Sequence, residues 1–232
     1  MQKNRSRLSI AATILALAHF ARADVTVTTA ADLATALTTS PAGTKVLLGD
    51  NLDLTGWTTV DAFSGILDGQ GYKIENLDAP LFGTITGDIA ISNLVVKDAS
   101  VTANAETSGI LLKSVTAANL AVENVTFTGS TLRITINKGN MAFVVGLFSV
   151  TGTASFKDCH VDDTCSFALG VNQHAGIAGN GTAIGTGATI SFTHCTMAAA
   201  LSTVASYSSQ FGGIAGNLLV QGGGEQAQTT PT

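Results

Sequence analysis

Four apolar segments in the latter part of the chain repeat one frame: Ile91-Ser92-Asn93-Leu94-Val95-Val96, Val122-Glu123-Asn124-Val125-Thr126-Phe127, Phe156-Lys157-Asp158-Cys159-His160-Val161 and Phe192-Thr193-His194-Cys195-Thr196-Met197. Their starts lie 31, 34 and 36 residues apart. A second series interleaves with the first: Gly109-Ile110-Leu111-Leu112, Gly146-Leu147-Phe148, Gly176-Ile177-Ala178-Gly179 and Gly213-Ile214-Ala215-Gly216, with glycines stepping by 37, 30 and 37. Two element types that share a period of about 34 residues are what a solenoid produces, each coil supplying one copy of each strand.

Strands stack about 4.8 Å apart and their side chains alternate between faces. That geometry puts Leu94, Val125, Cys159 and Cys195 on one inward ladder and Val96, Phe127, Val161 and Met197 on the next. The positions between them, Val95, Thr126, His160 and Thr196, point outward and are mostly polar. The small Gly-Ile-Ala-Gly units suit a sharp bend or a close approach of two walls, since glycine carries no Cβ. Successive coils run in the same direction, so paired strands are parallel, and parallel connections are right-handed in nearly all cases. The pattern predicts an all-β fold, a right-handed parallel β-helix of about four to five coils. Ahead of it, Thr29-Ala30-Ala31-Asp32 resembles a capping box that opens a short helix carrying Leu33, Ala34, Ala36 and Leu37. Such a helix covers the edge of the first coil, which left bare would template aggregation.

The N-terminus has a different logic. Lys3, Arg5 and Arg7 precede the apolar run from Leu8 to Phe20, and Ala21-Arg22-Ala23 offers a small-residue cleavage point. This is the pattern of a secretory signal peptide over residues 1–23. The solenoid is then expected over 24–220, and Gln221-Gly222-Gly223-Gly224 opens a polar tail over 221–232. With the leader removed, no transmembrane segment is expected, and the destination is secretion or the cell surface.

Removing the leader leaves 7 basic residues against 16 acidic ones, a net charge of about −9. No basic cluster remains, which argues against nucleic acid as a partner. Cys159, Cys165 and Cys195 lack the paired C-x-x-C units of a zinc site. Cys159 stacked over Cys195 leaves two readings open, inward free thiols or a bridge between coils, with free thiols preferred.

The stretch Phe63-Ser64-Gly65-Ile66-Leu67-Asp68-Gly69-Gln70-Gly71-Tyr72-Lys73-Ile74-Glu75-Asn76-Leu77, followed by Leu81-Phe82-Gly83, resembles the opening coil of bacterial GLUG-motif and pectate-lyase-like β-helix proteins. The later Gly-Ile-Ala-Gly units resemble the GLUG motif itself, although Gly109–Leu112 and Gly146–Phe148 lack its second glycine. The resemblance runs from about Leu33 to Val220 and implies adhesin-like surface proteins.

An enzyme on this fold needs convergent chemistry. A polysaccharide lyase of the pectate type requires carboxylates to hold Ca²⁺ and a basic residue to take a proton, and a hydrolase requires two paired carboxylates. The acidic residues are instead dispersed. Asp68, Asp78, Asp88 and Asp98 lie ten residues apart near expected turns, where aspartate commonly bonds its own backbone. One surface patch gathers metal-ligating types: alternation points Asp158, His160 and Asp162 outward, and His194 stacks over Asp158. An exposed polar face is the preferred reading of that patch. No catalytic residue and no cofactor is assigned, so the expected role is adhesion, ligand display or envelope structure, with a glycan or a surface protein as ligand and the oligomeric state left open. A polysaccharide lyase or hydrolase is the alternative.

Overall fold

In the computed structural model, residues 24–103, 106–135, 139–169, 174–203 and 211–221 are described. The expected leader (1–23), the tail beyond Gln221 and most of the loops at 137–140 and 202–210 lie outside the described residues.

The helix forms where its cap predicts, over Ala30–Thr39. The Thr29 side chain accepts from the Asp32 N–H at 3.1 Å, and its hydroxyl donates to the Asp32 carboxylate at 2.8 Å. Leu33, Ala36 and Leu37 are buried against the first strands, Val25–Val27 and Thr44–Leu48.

The remaining described chain winds through four parallel sheets. Sheet A has ten strands, with a main path through Val25–Val27, Thr44–Leu48, Gly65–Asp68, Ile89–Lys97, Leu120–Thr128, Thr153–Val161 and Thr189–Thr193. Sheet B stacks Phe82–Thr86, Leu112–Ala117, Val145–Val150, Ala178–Ile184 and Ala215–Gln221. Sheet C stacks Ser100–Ala103, Thr131–Ile134, Ser166–Leu169 and Ala200–Thr203; sheet D stacks Thr107–Gly109, Asn140–Ala142, His174–Ala175 and Phe211–Gly212. Each later coil passes from A to C to D to B and back to A. The fold is a right-handed parallel β-helix. The four strands in each of sheets C and D span about three full-size turns, fewer than the four to five expected, because the earlier coils are shorter and lack those two sheets.

The first repeat series sits in the expected register. Leu94, Val125 and Cys159 form one buried column, and Val96, Phe127 and Val161 the next, continued by the half-buried Met197. Aromatic rings reinforce the core: Phe156 stacks on Phe192 at 4.7 Å, and Phe143 meets Phe127 and Phe167 edge-on at 5.3 and 4.8 Å. Such pairs contribute about 0.5–1.5 kcal/mol each beyond area burial.

The second series does not keep the register in which its glycines were matched. Gly109 stacks over Ala142, Ala175 and Gly212, while Gly146 stacks over Gly179. The true steps are 33, 33 and 37 residues. Hydrophobic triplets, and not the first glycine, define the column: Ile110-Leu111-Leu112 corresponds to Phe143-Val144-Val145.

The long strands of sheet A bend in the middle. Asn93, Asn124, Asp158 and His194 take the left-handed backbone region, with φ of 52°, 53°, 49° and 51°. Asn and Asp tolerate it best among non-glycine residues. The bend places two neighbouring residues outward, so the chain turns without losing its inward columns.

Candidate functional site

The step where full-size coils begin makes a cleft. Sheets C and D start at Ser100–Ala103 and Thr107–Gly109, and no described strand pairs with their outer edges. Sheets A and B continue past them toward the helix. The resulting cleft of about 280 Å³ is lined by Thr59, Asp61, Thr102, Thr107, Ser108 and Lys113, with Pro80, Gly83 and Ala103 completing its walls. This volume is near the lower end for small-molecule sites.

Each polar group is placed by the coil stacking. Val60 bridges to Phe82 in parallel fashion, which sets Asp61 beside sheet B. One Asp61 carboxylate oxygen then accepts the Thr84 N–H at 2.8 Å. The Thr59 hydroxyl donates to the Pro80 carbonyl at 2.9 Å.

Lys113 stands in a column otherwise made of glycine: Gly83, Lys113, Gly146, Gly179 and Gly216 share one register. A Cβ at Gly146 would lie 2.5 Å from the Ser108 carbonyl oxygen, and one at Gly179 would lie 2.3 Å from the Gly146 carbonyl oxygen, so here the walls approach backbone to backbone. At Lys113 that close approach is missing, and the side chain occupies the cleft. Among the described residues it has no ion-pair partner. Ser108 is 4% exposed, and its hydroxyl meets no hydrogen-bond partner among the described residues. A buried hydroxyl without a partner is costly, which makes it a ready donor and acceptor for a ligand.

Sequence reasoning missed this cleft. Its one local signal is Lys113 replacing glycine, visible only once the columns are aligned on their apolar triplets.

The expected patch is partly assembled. His194 Nδ1 lies 3.2 Å from Asp158, as stacking predicts. His160 instead pairs through Nδ1 with the Thr196 hydroxyl at 2.8 Å, and Asp162 turns back to accept from the Thr164 N–H and hydroxyl. Burial pushes the Asp162 carboxyl up, but hydrogen bonds from Thr164, Thr128 and Cys165 together hold it below its ordinary value. Among the described residues no three His, Cys, Asp or Glu side chains converge as a metal site.

The spaced aspartates do more than cap turns. Asp68 does bond its own backbone, at the Gln70 N–H, but also accepts from the Asn93 amide one coil on and pairs with Lys45 at 3.0 Å. Asp78 accepts the Gly56 N–H of the preceding coil, and Asp88 takes both the N–H and the side-chain amide of Asn119 in the next. Asp98 pairs with Lys97 at 3.2 Å. Stacking brings N–H groups of other coils within reach, so the carboxylates of Asp68, Asp78 and Asp88 join coils. The cysteines are free thiols, Cys159 and Cys165 buried and Cys195 half-buried.

No described helix is long and apolar enough to cross a membrane. No family model and no curated protein matches the chain. Among solved structures, it is similar to a protein from Bacteroides ovatus provisionally named an immunoglobulin A1 protease, at 15% identity and a TM-score of 0.36. That alignment covers 86% of this chain and 84% of the other.

Proposed function

We propose that this chain is a glycan-binding β-helix that acts at or outside the cell surface as an adhesin or ligand-display scaffold. The cleft at the coil step carries the reading. Its hydroxyls, its lysine without an ion-pair partner among the described residues and two sheet edges that no described strand covers match what a sugar presents, a dense mixture of hydroxyl donors and acceptors. Among the described residues that line the cleft, Asp61 is the one carboxylate, and it is committed to the Thr84 N–H. Hydrolysis of a glycoside ordinarily needs two carboxyl groups flanking the bond, so binding without cleavage is favoured. The signal-peptide pattern of residues 1–23 and the resemblance to GLUG-motif surface proteins fit the same reading.

A glycan array with the chain from Asp24 onward, run beside an assay for new reducing or unsaturated ends with and without Ca²⁺, tests it. The expected result is saturable binding to a subset of glycans, weakened at least tenfold in Lys113→Ala, with no new ends. Product formation would replace the binding role with an enzymatic one, and binding indifferent to Lys113→Ala would remove the cleft from the account.

A further inference from the structure

We infer that Cys159 and Cys195 form a thiol–disulfide exchange site, with Cys195 as the attacking sulfur and Cys159 as the resolving one. Register and access point to it, and the direction of ionisation agrees.

The two residues occupy one register column. His160 pairs with Thr196 and Val161 with Met197, which sets Cys159 beside Cys195 on adjacent parallel rungs. Rungs are about 4.8 Å apart, inside the Cα range a disulfide spans. Both side chains also point the same way: the Cys159 sulfur lies 3.6 Å from the Val122 carbonyl oxygen and the Cys195 sulfur 3.5 Å from that of Phe156, and Val122 and Phe156 are themselves register partners.

The thiols differ in access. Cys159 is fully buried, whereas Cys195 is half-buried because its rung, Thr189–Thr193 and Thr196–Met197, is the last described one in sheet A. No described strand covers its far side.

They also differ in ionisation. The neighbouring Cys159 thiol holds the Cys195 thiol down at about 7 against partial burial, and the neighbouring Cys195 together with burial pushes Cys159 up. The more accessible sulfur is thus the one whose ionisation is favoured. The thiolate is the nucleophile in exchange.

The reaction partner is a low-molecular-weight disulfide. Cys195 thiolate attacks one sulfur of the reagent, the reagent S–S bond breaks, and one thiolate leaves. Cys159 then gives its proton to that departing thiolate, attacks the Cys195 sulfur and expels the second half. Two protein thiols are oxidised to one disulfide, and one small disulfide is reduced to two thiols. Cys165 has no register partner among the cysteines, and burial raises its thiol to about 12, so it stays inert.

The test is incubation of the native chain with oxidised glutathione, followed by intact mass and peptide mapping. Wild type is expected to lose two hydrogens, carry no lasting glutathione, link Cys159 to Cys195, melt at higher temperature and revert with dithiothreitol. Cys159→Ala is expected to trap one glutathione on Cys195, and Cys195→Ser to remain unmodified. A lasting adduct on wild-type Cys195, first reaction at Cys165, or an unmodified wild type would each overturn the assignment. The wild-type mapping decides the matter even where a variant fails to fold.

Discussion

Asn124 donates its side-chain amide to the side-chain oxygen of Asn93 at 3.0 Å, one coil away, while both residues hold the same left-handed backbone conformation. Asn93 in turn donates to Asp68 at 3.0 Å, so side chains stitch the bend in sheet A across three successive coils.

Asn124→Ala removes both the hydrogen bond and the residue that tolerates this backbone. It is expected to cost about 1–2 kcal/mol, chiefly because alanine resists the left-handed region. Asn124→Gly loses the hydrogen bond alone and should cost less. Urea unfolding of the two variants checks this, and equal losses would mean that the backbone conformation contributes nothing.

Asp68 couples stability to acid. Its side chain is 8% exposed; burial pushes the carboxyl up, but hydrogen bonds from Asn93, from the Gln70 N–H and from Lys45, with the charge of Lys45, together set it below its ordinary value of 3.8. A carboxyl lowered in the folded state stabilises fully above its unfolded value, and the contribution fades as pH falls through the folded value. Wild type should therefore exceed Asp68→Asn by about 2 kcal/mol at pH 6, with the gap closing progressively as pH falls below the ordinary carboxyl value of 3.8. Urea melts across that range read the gap, and one that persists unchanged in acid would remove the linkage.

Gly146→Ala places a methyl group 2.5 Å from a backbone carbonyl oxygen that no rotamer change can move. A loss of about 1–3 kcal/mol is expected from overpacking. Gly213→Ala, where a Cβ meets nothing within 4 Å among the described residues, should cost far less. Paired thermal melts compare them, and similar losses would mean that the walls do not press together at Gly146.

Where side chains repeat in register, the sequence was readable. Leu94, Val125 and Cys159 declared their column through alternation, and Thr29 declared the helix through its cap. Glycines misled, because the conspicuous Gly-x-x-Gly spacing holds two structurally different positions, and Gly146 matches the second. The cleft was invisible for another reason. It arises from two sheets that begin partway along the solenoid, so Thr59, Asp61 and Lys113 converge through a change in coil size that no local motif records. Turn chemistry does not foretell the partners of Asp78 and Asp88, because a single strand shows only its own neighbours and these carboxylates find theirs in adjacent coils.

The sheet A register advances by 21, 24, 31, 34 and 36 residues from Val46 to Phe192. Yet the return from sheet B to sheet A keeps two intervening residues in three coils, between Thr86 and Ile89, Ala117 and Leu120, and Val150 and Thr153. In those coils most of the added length falls on the opposite flank, around sheets C and D, and the return gains one residue in register at each step. Insertions and deletions there leave the buried columns in frame, so a lineage carrying this fold can redraw one side of its outline, cleft included, without renegotiating its interior.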